Sequence, residues 1–255
     1  MTNEAMALAV ALPLFGALTA AAWPNRCRHI GTLTVLFNSA SVTWLFVLVM
    51  SHGETHQLLG GWQPGLAIAL HADALSALML LLTALVALAV SVYATRYFHS
   101  SPEAARFWPL WLLLLAALNG LFLSADLFNL YVWFEVMLMA SFGLLVMGRN
   151  PGRLTGGVKY VTINLISTLF FITAIGLIYG LTGTLNMADL HAKAAGVENT
   201  ALLTAAAMLL MVAFGIKAAL FPLFFWLPAA YHTLPVSVSA FFAGMLSKVG
   251  VYSLI

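Results

Sequence analysis

Three residues carry charges where the surrounding chain offers no water. Glu135 sits in "LFNLYVWFEVMLMASFGLLV", residues 127–146, and Lys217 and Lys248 sit in the apolar stretches 200–221 and 236–255. A charged side chain at the centre of a membrane helix costs roughly 2.5–3.5 kcal/mol on insertion scales. One acid and two bases on three helices can offset one another's burial if the helices pack together. One reading is a static ion pair that locks the packing. The odd charge left over favours the other, a proton or ion relay, because neighbours can push a lysine between its charged and neutral forms.

The elements that must position these residues follow from composition. Hydrophobic residues make up 63% of the 255-residue chain and charged residues 7%. No soluble domain of this size hides that much apolar surface, so the chain reads as an integral membrane protein. The formal net charge of +2 says little by itself. A single cysteine, Cys27, excludes a disulfide framework and a Cys-rich metal or iron–sulfur centre. The chain has no G-x-G-x-x-G, Walker loop or H-E-x-x-H, so no cofactor-binding or metal residues are assigned.

About eight apolar runs approach bilayer length: 5–22, 30–50, 74–95, 108–124, 127–147, 157–181, 200–221 and 236–255. They are apolar all round, with small residues interspersed, which suits packed helices better than alternating strands. The segment "MTNEAM" lacks the Lys or Arg of a signal-peptide n-region, so the first run is expected to remain as a helix. Arg26, Arg28, Arg96, Arg106, Arg149, Arg153 and Lys159 fall in one set of connections and only Lys193 in the other. The positive-inside rule then puts the N-terminus outside.

Depth and helix chemistry refine the site. Glu135 lies nine residues beyond Asp126, which is ~13 Å deeper at the rise of an α-helix. Lys248 lies thirteen residues beyond Pro235, or ~20 Å along its helix. Gly244, Ser247 and Gly250 around it let a neighbour or water come close. Pro222, five residues after Lys217, cannot donate a backbone hydrogen bond and its ring clashes with the carbonyl of residue 218. A helix break just after Lys217 is expected, with freed carbonyls buried or lining a wet cavity. His232 in the following connection is a candidate proton entry, since imidazole titrates near neutrality. Asn119, Asn129 and Asn164 are expected in interhelical hydrogen bonds, and Gly176 and Gly180 in close helix packing. For His71 and Asp73, before the third run, solvated or capping roles are expected.

The segments "LYVWFEVMLM", "TGTLNMADL" and "GIKAALFPLFFWLPAAYHTLPVSVSAFFAGMLSKVGVYSLI" resemble the antiporter-like membrane subunits shared by respiratory complex I and the Mrp cation/proton antiporters. The resemblance covers essentially the whole chain. It implies that Glu135 pairs with Lys217 and that Lys248 carries protons onward along a hydrated mid-membrane axis. Phe224, Ala229 and Tyr231 stand where complex I members usually carry a histidine, an acid and a histidine, so the chain looks more like the D-type member of the Mrp antiporters. Ala229 departs from the common acid of both groups.

The resemblance further implies an all-α, polytopic fold, the first half of an inverted-repeat architecture with its seventh helix broken. Residues 1–107 would form a three-helix leading segment and 108–255 most of the first five-helix repeat. The chain stops inside the eighth run, so a fragment lacking the second repeat is expected. The function implied is that of a transporter, not an enzyme: a membrane subunit of a monovalent cation (Na+ or K+)/proton antiporter in the cell membrane, with other membrane subunits as partners and no cofactor. The alternatives are a proton-pumping subunit of complex I or a membrane-bound hydrogenase, and a non-transporting scaffold. The sequence does not choose between Na+ and K+.

Overall fold

The computed structural model describes residues 2–59, 68–98, 103–147, 151–232 and 234–255. Arg149, counted in the charge asymmetry, lies outside the described residues. Among the described residues, seven helices are long and apolar enough to cross a membrane. These are α1 (Thr2–Ala22), α2 (Cys27–His52), α3 (Ala74–Tyr97), α4 (Ala104–Leu123), α5 (Leu127–Leu145), α6 (Pro151–Thr182) and α8 (Thr200–Lys217). Between α6 and α8 lies the short helix α7 (Met187–Ala194), and α9 (Trp226–Tyr231) follows α8. The eighth run forms 17 residues of helix, Val236–Tyr252. It comprises α10 (Val236–Phe241), a π-helical segment Phe242–Leu246 and α11 (Ser247–Tyr252).

Sequence chemistry starts these helices where the chain needs them. Asp73 accepts from Ser76 N at 2.7 Å and Ser76 Oγ accepts from Asp73 N at 2.9 Å, a capping box that opens α3. Asp126 caps α5 through Asn129 N at 2.7 Å, and Asn199 caps α8 through Leu202 N at 3.0 Å. The capping role expected of Asp73 is therefore observed. Its carboxyl is pushed up by burial, but the Ser76 hydrogen bonds outweigh this and hold it below its ordinary value. Asp126 goes the other way. Burial raises its carboxyl above the ordinary value, only partly offset by the backbone amides of Asn129, Ala69 and Phe128.

Packing centres on α4, which is buried along most of its length and touches α1, α2, α3 and α5. Asn119 on α4 donates to Ala9 O at 2.6 Å on α1 and to Asn38 Oδ1 at 3.1 Å on α2, the interhelical bond expected of it. Asn129 and Asn164 bond locally instead, to Ser124 Oγ and to Tyr160 O. Leu33, Phe37, Val47, Leu85 and Val92 point outward and are exposed, as lipid-facing side chains of α2 and α3 should be. Among the described residues nothing approaches a Cβ placed at Gly176 or Gly180, so the close packing expected there is not seen; both are exposed on α6.

A two-stranded antiparallel hairpin, β1 (Thr55–Leu59) with β2 (Ile68–Ala72), adds a small sheet that the apolar runs did not announce. It lies at the end where α2 finishes and α3 begins. Ala69 N donates to Asp126 Oδ2 at 3.0 Å and Ala125 N to Ala69 O at 2.9 Å, so β2 rests on the α4–α5 connection. Asp126 in turn bridges to Asn186 before α7. At the opposite end, Arg153 donates to Met147 O at 2.7 Å, just beyond the C-terminus of α5.

Candidate intramembrane charge site

α8 ends at Lys217, where the sequence reading placed the break, but earlier than residue 221 and by a different device. The amides of Ala219 and Leu220 bond back to Ile216 O at 3.1 Å and Gly215 O at 2.9 Å. With Ala219 at φ 55°, this is a Schellman closure built on alanine where glycine is the usual residue. Pro222 then lies outside the helix, in the turns that follow, and its ring has no helical carbonyl to strike. Two carbonyls near this end also accept from side chains outside α8. Trp226 Nε1 donates to Ile216 O at 2.9 Å, and Ser167 Oγ on α6 donates to Ala213 O at 2.8 Å. Neither Trp226 nor Ser167 carried a signal for this role, because nothing local marks a partner on another helix.

Lys217 is 2% exposed and its Nζ has no hydrogen-bond partner among the described residues. The ammonium lies over the ring of Phe134 on α5, 4.7 Å from its centroid. Two features make this site tolerable for a cation: the π-face of Phe134 and the negative end of the α8 dipole, of which Lys217 is the last residue.

Glu135 is the next residue on α5, half-buried, and is held by another helix. Thr168 Oγ1 on α6 donates to Glu135 Oε1 at 2.5 Å. Among the described residues Glu135 and Lys217 close no ion pair, although the Glu135 charge reaches Lys217 at longer range. The arrangement implied by the family resemblance, a Glu135–Lys217 pair, is open in this structure. α5 shows Lys217 an aromatic face and gives its carboxylate to α6.

Lys248 lies in the first turn of α11 and is exposed, with Nζ donating to Ala243 O at 2.5 Å. That carbonyl belongs to the π-helical segment, and the Phe242 carbonyl beside it accepts from Tyr231 OH at 3.1 Å. A π-turn widens the helix and leaves carbonyls to be met by side chains, a feature frequent at functional sites. The two lysines belong to helices whose backbones touch. A Cβ at Gly250 would collide with Ala218 N and fall 2.7 Å from Lys217 C. Of the small residues around Lys248, Gly250 makes the close approach, while Gly244 faces open space.

His232 ends α9 and is exposed, its Nδ1 2.5 Å from Pro228 O. α9 packs against the start of α6, where a Cβ at Gly156 would collide with Ala229 O. This puts α9, which His232 ends, beside the arginine-bearing start of α6. Tyr160 on α6 is bonded to Ser141 at 2.6 Å and edge-on to Trp226 of α9.

The site thus joins, within a helical membrane bundle, a helix that ends in mid-bundle, a buried lysine and a carboxylate one residue from the lysine's aromatic platform. Residues 124–255 match the transmembrane family of NADH:quinone oxidoreductase and Mrp antiporters, and residues 64–108 match the N-terminus of complex I chain 5. The chain belongs to this NADH:quinone oxidoreductase/Mrp antiporter family.

Two bacterial relatives are D-type components of antiporters. That of the Na(+)/H(+) antiporter of Alkalihalophilus pseudofirmus is 42% identical over 83% of this chain and 43% of its own length. That of the probable K(+)/H(+) antiporter of Rhizobium meliloti is 46% identical over 77% of this chain and 36% of its own. The structure of the Mrp complex from Dietzia sp. contains a chain similar to all of this one and to 48% of itself, at 32% identity and a TM-score of 0.89. The chain thus spans less than half the length of these relatives.

Proposed function

We propose that this chain is a membrane subunit of a multi-subunit monovalent cation/proton antiporter and that Glu135, Lys217 and Lys248 form its proton relay. The observation that carries this reading is Lys217: buried, without a hydrogen-bond partner among the described residues, and seated where a helix stops in mid-bundle. A purely structural cation would be expected to hold a carboxylate or a set of carbonyls. Lys217 instead rests on a π-face that stabilises its charge without taking its proton. Glu135 is one residue from that face, so a change of rotamer away from Thr168 would bring its carboxylate toward the ammonium. Closing and opening that pair is the two-position switch: closed, Lys217 holds its proton; open, the proton is free to pass toward Lys248. The path between the lysines runs along the α8–α11 contact, with the π-segment carbonyls serving Lys248. His232 is the proposed entry from the arginine-bearing side.

The cation is Na+ or K+, both of which occur in the names of the relatives, and further membrane subunits are the proposed partners. The proposed location is the cell membrane, N-terminus outside, on the strength of the arginine asymmetry. Residues 1–107 and 108–255 remain the proposed leading segment and first repeat.

The decisive measurement is cation-dependent proton exchange in everted vesicles by Lys217→Arg in the assembled complex. A relay lysine must give up its proton, and a guanidinium does not. Exchange is expected to fall to background with assembly intact; near-normal exchange would make Lys217 a structural residue.

A further inference from the structure

We propose that the β1–β2 hairpin carries a binding site for a divalent transition cation of the zinc class, with Glu54, His56 and His71 as ligands. The site is separate from the intramembrane charges and independent of the antiporter reading. No sequence motif marks these residues as metal ligands, and a solvated or capping role is what the sequence leads one to expect of His71.

Strand geometry brings the three together. His56 and His71 are directly opposed in the antiparallel register, which places their Cβ atoms about 4.5–5.5 Å apart on one face of the hairpin. Their rings stack with centroids 4.0 Å apart and planes 1° from parallel. Glu54 lies just before β1, and its side chain reaches His71. Its Oε2 is 3.4 Å from His71 Nε2. One ligand atom from each residue lies within 4.8 Å of the other two. Ligands about 2.0–2.2 Å from one tetrahedral zinc stand roughly 3.3 Å apart, so side-chain movements of about 1 Å would close the shell.

A second observation points to a ligand. His71 Nε2 is shut off from solvent and makes no hydrogen bond among the described residues, although it faces a carboxylate. A buried ring nitrogen left without a bond is costly unless something occupies its lone pair or takes its proton. Two imidazoles and one carboxylate are a donor set that suits zinc, with a fourth position left for water. Asp73, two residues after His71, is engaged by Ser76 and adds negative charge without supplying a ligand. A bound cation would cross-link β1 to β2, and through Ala69 and Asp126 it would stiffen the cap over the start of α5.

The test uses the tag-free complex containing the full chain, stripped with chelator and titrated with Zn2+ by calorimetry and Co2+ by visible absorption. The wild type is expected to bind an ion that His56→Ala and His71→Ala each lose, with affinity falling about 100-fold; Glu54→Gln is expected to cost about tenfold. The Co2+ spectrum should show tetrahedral d–d bands that disappear in the same variants. All three side chains are partly or fully exposed, so the variants should fold, and unchanged exchange or heat stability checks this. No Zn2+ binding by the wild type, or wild-type affinity in both histidine variants, would overturn the proposal.

Discussion

The Lys217 ammonium rests on the Phe134 ring, 4.7 Å from its centroid, while the neighbouring Glu135 reaches away to Thr168. One residue of α5 therefore serves the cation and the next holds back the anion. In a desolvated site a cation–π contact contributes up to about 2 kcal/mol. Phe134→Leu should slow exchange by about tenfold, and Phe134→Tyr should retain most of it. Exchange rates in vesicles, normalised to the amount of assembled complex, decide the matter. An indifferent Leu variant would remove the ring from the switch.

Thr168 holds the Glu135 carboxylate in this structure. Its hydroxyl bonds a carboxylate at 2.5 Å, and hydrogen bonds to charged groups contribute about 1.5–3 kcal/mol. Thr168→Val keeps the shape and removes the donor. Exchange is expected to fall in Thr168→Val and to recover in Thr168→Ser, with assembly unchanged in both. Equal rates in Val and Ser would mean that the hydroxyl plays no part.

Gly250 sets the distance between the two lysine helices. The atoms a Cβ would meet belong to the backbone at Lys217 and Ala218, which cannot step aside as a side chain can. Gly250→Ala should push α11 off the end of α8 at a cost of about 1–3 kcal/mol, lowering the thermal midpoint of the complex and the exchange rate together. Gly244→Ala meets open space and is the control that should change neither.

Ala219 closes α8 in the left-handed region at φ 55°. For an L-residue that conformation costs about 1–2 kcal/mol, and glycine avoids it. Ala219→Gly should therefore raise the thermal midpoint slightly without altering exchange, and Ala219→Val should lower it. The opposite order in a thermal unfolding series would contradict the Schellman closure.

By itself the sequence determined the class of protein, seven apolar runs that form membrane-length helices, the three charges within apolar runs and the position, though not the device, of the end of α8. Each of these follows from local composition: hydropathy adds up along a run, and a charge among apolar residues needs no partner to be noticed. The caps are legible for the same reason, since Asp73 with Ser76 and Asp126 with Asn129 are three residues apart. Other features were decided only by the tertiary structure. Which helix takes the Glu135 carboxylate depends on how α5 and α6 are rotated about their axes, and Thr168 is 33 residues away. Trp226 and Ser167 reach carbonyls near the end of α8 across gaps that no periodicity reports. The hairpin hid in a connection because each strand is only five residues long, and its Glu54–His56–His71 cluster exists only in the register that pairs His56 with His71. The π-turn before Lys248 is likewise a product of packing, where Tyr231 bonds a carbonyl eleven residues away. Local energies choose the helices, but the orientation of one helix against another is chosen by contacts between residues far apart in the chain.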